Sequence, residues 1–273
     1  MILRMELRTQ ARAALLEPSP ARKVAQVDGL SAAWSSGAAV DPALRFDPLP
    51  GPPGRPARPR LVEPRRLPRR TAFDRAGRGA LLHAVAHIEF NAINLALDAL
   101  WRFPDLPAQY YADWLRIAVE EALHFRLVCD HLRRLDCLYG DHDAHDGLWA
   151  MAERTAGDFV ARMALVPRTL EARGLDATPA IQARLASAGD SKAVEILDTI
   201  LRDEIGHVAI GDVWYRWACA RQGLDPEAHY RELLRQHRAP RPRPPLNWDA
   251  RRLAGFSERE LQALSADQGS AED

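Results

Sequence analysis

Ala118-Val-Glu-Glu-Ala-Leu-His-Phe125 places a carboxylate and an imidazole on a helical face that is otherwise apolar. At helical offsets from Glu121 stand Trp114, Ile117, Ala118, His124, Phe125, Val128 and Leu132, and His124 is the polar member of that set. Arg202-Asp-Glu-Ile-Gly-His-Val208 repeats the pattern, because the same offsets from Glu204 give Leu197, Ile200, Leu201, His207, Val208, Gly211 and Tyr215. Around Glu89 they give Leu82, Val85, Ala86, Ala92, Ile93, Ala96 and Leu100, all apolar. A carboxylate in a core stripe is costly unless its charge is paired or bound to a cation.

One Glu from each of two helices, plus Glu-x-x-His from each of two others, is the ligand set of di-iron and di-manganese carboxylate bundles. Residues i and i+3 project side by side, so a carboxylate can bridge two ions while the imidazole binds one of them. A single Glu-x-x-His is weak evidence, since surface pairs are frequent; two copies with a core Glu on a third helix are strong evidence. The remaining carboxylate must come from the third long helix, where Glu153, Asp158 and Glu171 are the candidates. Glu171 is preferred because Met163, Ala164, Pro167 and Leu175 flank it, although Arg168 interrupts that face. Pro167 frees the carbonyl of Met163 and should bend the helix, which can turn a late Glu inward. The expected ligands are Glu89, Glu121, His124, Glu171, Glu204 and His207, holding two iron ions, with manganese as the alternative.

Outward from these stripes the periodicity predicts four long helices. The first runs from 76 to 103 and stops at Pro104; the second opens near Pro107 and reaches about 137. After a turn rich in Asp and His, from Gly140 to Gly147, the third covers about 147–173 and ends at Gly174. Thr178-Pro179 caps a short helix to about 187, and the fourth long helix spans 191–222, ended by Gly223. Short connections make an antiparallel four-helix bundle over 76–225 the economical reading. Residues 1–75 form an arm of two short helices, about 4–16 and 20–35, followed by a strap with nine prolines between Pro42 and Pro68. Residues 226–273 form an extension whose last helix starts at Ser257, with Glu260 at capping-box spacing.

The chain has 273 residues, 47% of them hydrophobic, enough for one sizeable core with extensions. Lys+Arg and Asp+Glu each number 37, so no global cationic field argues for nucleic acid or an anionic membrane. Residues 1–75 nevertheless carry 14 basic against 7 acidic residues, and 76–225 carry 15 against 22. Seven arginines fall between Arg55 and Arg70 with no aromatic residue interleaved for base stacking, so a strap neutralised by the acidic bundle is favoured over a tRNA-binding arm. Three cysteines without C-x-x-C spacing suggest neither a disulfide framework nor a zinc ribbon. With charge mixed into the N-terminus and no run of roughly 18 uninterrupted apolar residues, a cytoplasmic protein without membrane partners is expected.

Other polar residues compete for a functional reading. His83 and His87 are one turn apart but off the Glu89 stripe, which suits a supporting or interface role for His87. Glu120 and Asp203 precede proposed ligands and are candidates to orient a histidine across the bundle. Tyr215 lies on the Glu204 face. His142 and His145 are explained more cheaply as members of a polar loop. No Gly-rich phosphate loop or nucleophile elbow stands out, which lowers nucleotide-dependent and hydrolytic chemistry.

Ala86-His-Ile-Glu-Phe-Asn-Ala-Ile93, Glu120-Glu-Ala-Leu-His-Phe125, Val166-Pro-Arg-Thr-Leu-Glu-Ala-Arg-Gly-Leu175 and Arg202-Asp-Glu-Ile-Gly-His-Val208 resemble the signature blocks of an uncharacterised bacterial family of ferritin-like proteins. The similarity runs nearly end to end, including the Pro/Arg strap and Asn247-Trp-Asp-Ala-Arg-Arg252. The chain is more distantly similar to bacterial di-iron tRNA hydroxylases, whose third helix likewise offers Glu-Ala-Arg. The resemblance implies an all-α, ferritin-like antiparallel four-helix bundle and supports Glu171 as a ligand. By fold-level analogy it also implies an oxidoreductase that activates O₂ or a peroxide toward an unknown substrate. The alternatives are a tRNA-modifying hydroxylase and a non-catalytic iron-binding or structural bundle.

Overall fold

The computed structural model describes residues 6–68, 70–242 and 244–266, whose regular secondary structure is helical, with two isolated β-bridges and no strands. Arg69, one of the strap arginines, lies outside them. The chain divides between Trp149 and Ala150 into two compact units.

In the first unit, α1 (Leu7–Leu16) ends before the break at Pro18-Ser19-Pro20 and α2 (Pro20–Ser35) spans its expected limits, whereas α1 starts at Leu7 rather than near residue 4, because the Glu6 side chain caps it. Next come α3 (Arg75–Arg102) and α4 (Ala108–Arg134), joined by a short turn containing Pro104 and Pro107. They form an antiparallel hairpin: the Tyr110 hydroxyl donates to the Ala99 carbonyl (3.1 Å) beside the turn, and Glu89 meets His124 in mid-helix. By length and composition α3 is long and apolar enough to cross a membrane, a property the unbroken-run test does not detect. Its apolar window is mostly buried, as in a core helix.

α1 packs on α3 and α2 on α4, and two buried cations tie α1 to α3 and α2 to both α1 and α3. Arg8 donates to the carbonyls of Asp41 (2.9 Å), Leu44 (2.8 Å) and Trp101 (2.7 Å), the last at the negative end of α3. Lys23 Nζ donates to the Leu15 carbonyl at 2.7 Å and to Asn94 Oδ1 at 2.5 Å. Burial lowers the Lys23 pKa to about 7. The strap adheres to the Asp/His turn: Arg55 pairs with Asp146 and Arg60 with Asp143, both at 2.7 Å. Backbone bonds from Val62 N to Ala144 O (2.8 Å) and from Ala144 N to Arg60 O (3.0 Å) add to this.

The third long helix departs from its expected limits. A short helix, α5 (Gly147–Arg154), ends early because the Thr155 hydroxyl and Arg162 guanidinium take its last carbonyls, those of Met151 (2.8 Å) and Ala152 (2.5 Å). Asp158 then caps a new start, its Oδ1 accepting from Ala161 N at 2.9 Å. From there α6 (Phe159–Leu165), a π-helical turn (Val166–Glu171) and α7 (Ala172–Ser187) run on without a break. Neither Gly174 nor Pro179 ends the helix. Pro179 cannot donate to the Leu175 carbonyl four residues back, and Asn247 Nδ2 supplies that bond instead (3.2 Å).

The second unit continues with α8 (Ser191–Gln222), ended by Gly223 at φ 67°, as the sequence predicts. Antiparallel pairing of α7 with α8 is marked by the Gln182–Asp198 hydrogen bond at 2.6 Å and by Arg168–Asp212 at 2.6 Å. Capping by Asp225 starts α9 (Pro226–Gln236), and α10 (Trp248–Leu253) and α11 (Glu258–Ala266) follow. Ser257 and Glu260 form the expected reciprocal cap, with bonds of 2.8 and 3.2 Å. Ala250, Ala254, Phe256 and Leu261 close a core with Ala172, Leu175 and Val208. Each unit is thus built on one long antiparallel hairpin.

Candidate metal centre

In the first unit α3 contributes Glu89 and α4 contributes Glu121 and His124, and all three are buried. Their ligand atoms lie within 4.8 Å of one another. His124 Nδ1 is 3.3 Å from Glu89 Oε2 and 3.5 Å from Glu121 Oε2. The i, i+3 spacing on α4 sets the second distance, and the antiparallel register of the hairpin sets the first.

The electrostatics of this trio favour a positive charge between the two carboxyl groups. Burial pushes the Glu89 carboxyl up to about 7, with repulsion from Glu121 adding to the rise and His124 opposing it. Burial also disfavours a charged His124, yet Glu121 and Glu89 outweigh it and hold the imidazolium up to about 12. Burial thus favours the neutral form of Glu89, while the two carboxyl groups together hold a proton on an imidazole that would otherwise be neutral. Hard carboxylate oxygens and one borderline nitrogen form a donor set that suits iron or manganese.

The second unit repeats the Glu-x-x-His on α8. Glu204 and His207 on α8 are buried, with His207 Nδ1 3.9 Å from Glu204 Oε2. Glu171 closes the π-helical turn and is 8% exposed, whereas its rivals Glu153 and Asp158 are exposed and Asp158 is occupied as a helix cap. The turn has a local cause: Pro167 has no N–H to donate, and the Thr169 hydroxyl bonds the Ala164 carbonyl five residues back (2.7 Å). The bend expected at Pro167 is thus a π-turn, and single-turn π-bulges recur at functional sites.

The remaining candidates have other partners. His87 bonds the Tyr139 hydroxyl (3.0 Å), the His145 carbonyl (3.1 Å) and Asn91 (3.0 Å), and burial lowers its pKa to about 4. The Tyr215 hydroxyl donates to the Pro226 carbonyl at 2.7 Å. Glu120 pairs with Arg116 at 2.9 Å and Asp203 with Arg202 at 3.0 Å. His142 stands edge-on to His83 in the polar turn.

Sequence reading did not foresee the role of Arg168, which it treated as an interruption of an apolar face. The residue is fully buried, bonds Asp212 and Glu260, and lies 4.2 Å from the Tyr230 ring centroid and 4.5 Å from that of Phe256. Its carboxylate partners are 44 and 92 residues away, so no local spacing reveals them.

A chain from Haemophilus influenzae (strain ATCC 51907 / DSM 11121 / KW20 / Rd), described as an uncharacterized protein, is 51% identical over 213 residues, covering 76% of this chain and 74% of the relative. No solved structure matches significantly. A family model described as "Protein of unknown function (DUF455)" matches residues 16–262, and the chain belongs to that family.

Proposed function

We propose that Glu89, Glu121 and His124 join Glu171, Glu204 and His207 around one pair of metal ions, most suitably iron. The two hairpins would then make a ferritin-like four-helix bundle, and the protein would be an oxidoreductase activating O₂ or a peroxide. The observation that carries this reading is the duplication: each hairpin holds a buried Glu-x-x-His together with a further buried Glu. One such set has a structural explanation as a buried ion pair; two matching sets are the donor complement of a di-metal carboxylate site.

A bound iron pair would supply one-electron redox chemistry toward O₂ or a peroxide. The chain's own residues would hold the pair and keep bulk water away. Phe125, Val128, Leu197 and Ile200, on the faces of the ligand residues, are buried and offer no competing donor. The tight pocket around His124 fixes its imidazole between two carboxylates, so that losing its proton leaves a nitrogen ligand already oriented.

The test is aerobic oxidation after anaerobic loading with ferrous iron. An oxidoreductase site saturates near about two irons per chain and develops ferric absorption in one phase. Iron oxidation continuing far beyond that ratio, with mineral accumulating, would reassign the protein to storage.

A further inference from the structure

The second unit contains a cavity of about 430 Å³ that the metal reading does not use. Among the described residues, six arginines line it: Arg168, Arg231, Arg235, Arg238, Arg241 and Arg251. Among the described residues, none that lines it is acidic. A volume in this range is that of a small-molecule site.

Charge is distributed unevenly through the cavity. At its buried end Arg251 is compensated by Asp176 (2.6 Å), and Arg168 by Asp212 and Glu260. Arg168 nevertheless keeps one nitrogen, Nη1, buried without a hydrogen bond, although the side chain is 0% exposed. Toward solvent, Arg231 and Arg238 are exposed and have no carboxylate partner among the described residues. Leu234, Leu264, Pro240 and Pro242 give the cavity an apolar wall.

We infer that this cavity binds a small phosphate ester whose organic body lies on the apolar wall. Guanidinium forks match phosphate oxygens in pairs, and a doubly charged phosphate answers the two uncompensated guanidinia better than a single carboxylate does. Buried Arg168 forms part of the inner wall and keeps Nη1 without an acceptor, held in place by two carboxylates and two aromatic rings. The site lies within one unit, and the inference stands or falls independently of the metal centre.

Phenyl phosphate is the probe, titrated calorimetrically into the full-length chain at constant ionic strength. The titration is repeated on His124→Ala, which excludes signal from phosphate held by a metal pair. Saturable one-to-one binding is expected in both, weakened about tenfold by Arg231→Ala and again by Arg238→Ala. Arg65→Ala, in the strap, should leave it unchanged. Both cavity arginines are exposed, so the melting temperatures of the unliganded variants should match the parent. The inference is overturned by an absence of saturable binding or by equal weakening in Arg65→Ala. Phthalate binding as tightly as phenyl phosphate, or RNA binding without phenyl phosphate binding, would also overturn it.

Discussion

Gly211 on α8 faces Pro167 in the π-helical turn so closely that a Cβ on Gly211 would lie 2.5 Å from the proline Cβ and 2.6 Å from its Cγ. The missing side chain lets the backbone of α8 approach the turn that ends in Glu171, in the same helix that carries Glu204 and His207. Gly211→Ala should therefore cost about 1–3 kcal/mol, as overpacking of a close contact does, even though alanine is the better helix former. Urea unfolding measures the cost. A stabilised variant would show that this contact has room to relax.

Pro179 and Asn247 form a second coupled pair. The proline leaves the Leu175 carbonyl without its helical donor, and the Asn247 side chain fills the gap at 3.2 Å. Asn247→Ala should cost about 1 kcal/mol or more, since the residue also caps α10. In a Pro179→Ala background, where the restored N–H can reach Leu175, the penalty should shrink. A double-mutant cycle reads the difference, and strict additivity would contradict the assigned role.

Lys23 sets a pH dependence of known sign. Its folded pKa of about 7 lies below the 10.5 of the unfolded chain. Between those values the unfolded state binds a proton that the fold does not, so the penalty fades and stability rises with pH. Below about 7 the full penalty remains. Lys23→Met lacks this contribution, although it leaves Leu15 O and Asn94 Oδ1 without their donor. Unfolding free energies of the two chains should therefore move apart in favour of the parent as pH is raised from 7 toward 10.5; parallel curves would refute the buried-lysine account.

Helix identity was largely legible because it rests on local spacing. The end of α1, the limits of α2, α3 and α8, the Gly223 stop and the Ser257–Glu260 cap follow from residues within a few positions of each end. The third long helix was misread because proline and glycine were given their usual local meaning. At Pro179 the compensation comes from Asn247, and at Pro167 from a threonine hydroxyl and an absent side chain at Gly211. A distant contact decides the first, and at Pro167 a local threonine bond is joined by the distant Gly211. The Glu89, Glu121 and His124 grouping was readable because helical phase alone brings a carboxylate and an imidazole together, and antiparallel pairing brings the third. The arginine cavity was not readable, since Arg168, Arg231 and Arg251 converge through tertiary packing.

Metal content tests the central claim most directly. The full-length chain is loaded anaerobically with ferrous iron, freed of loose metal and analysed alongside His124→Ala, His207→Ala and His142→Ala, with helicity checked for each. The account predicts about two tightly held ions per parent chain. It also predicts fewer in both His124→Ala and His207→Ala, and no change in His142→Ala, whose imidazole packs on His83 in the polar turn. A folded parent chain that retains neither iron nor manganese, or an undiminished metal content in both ligand variants, would contradict it.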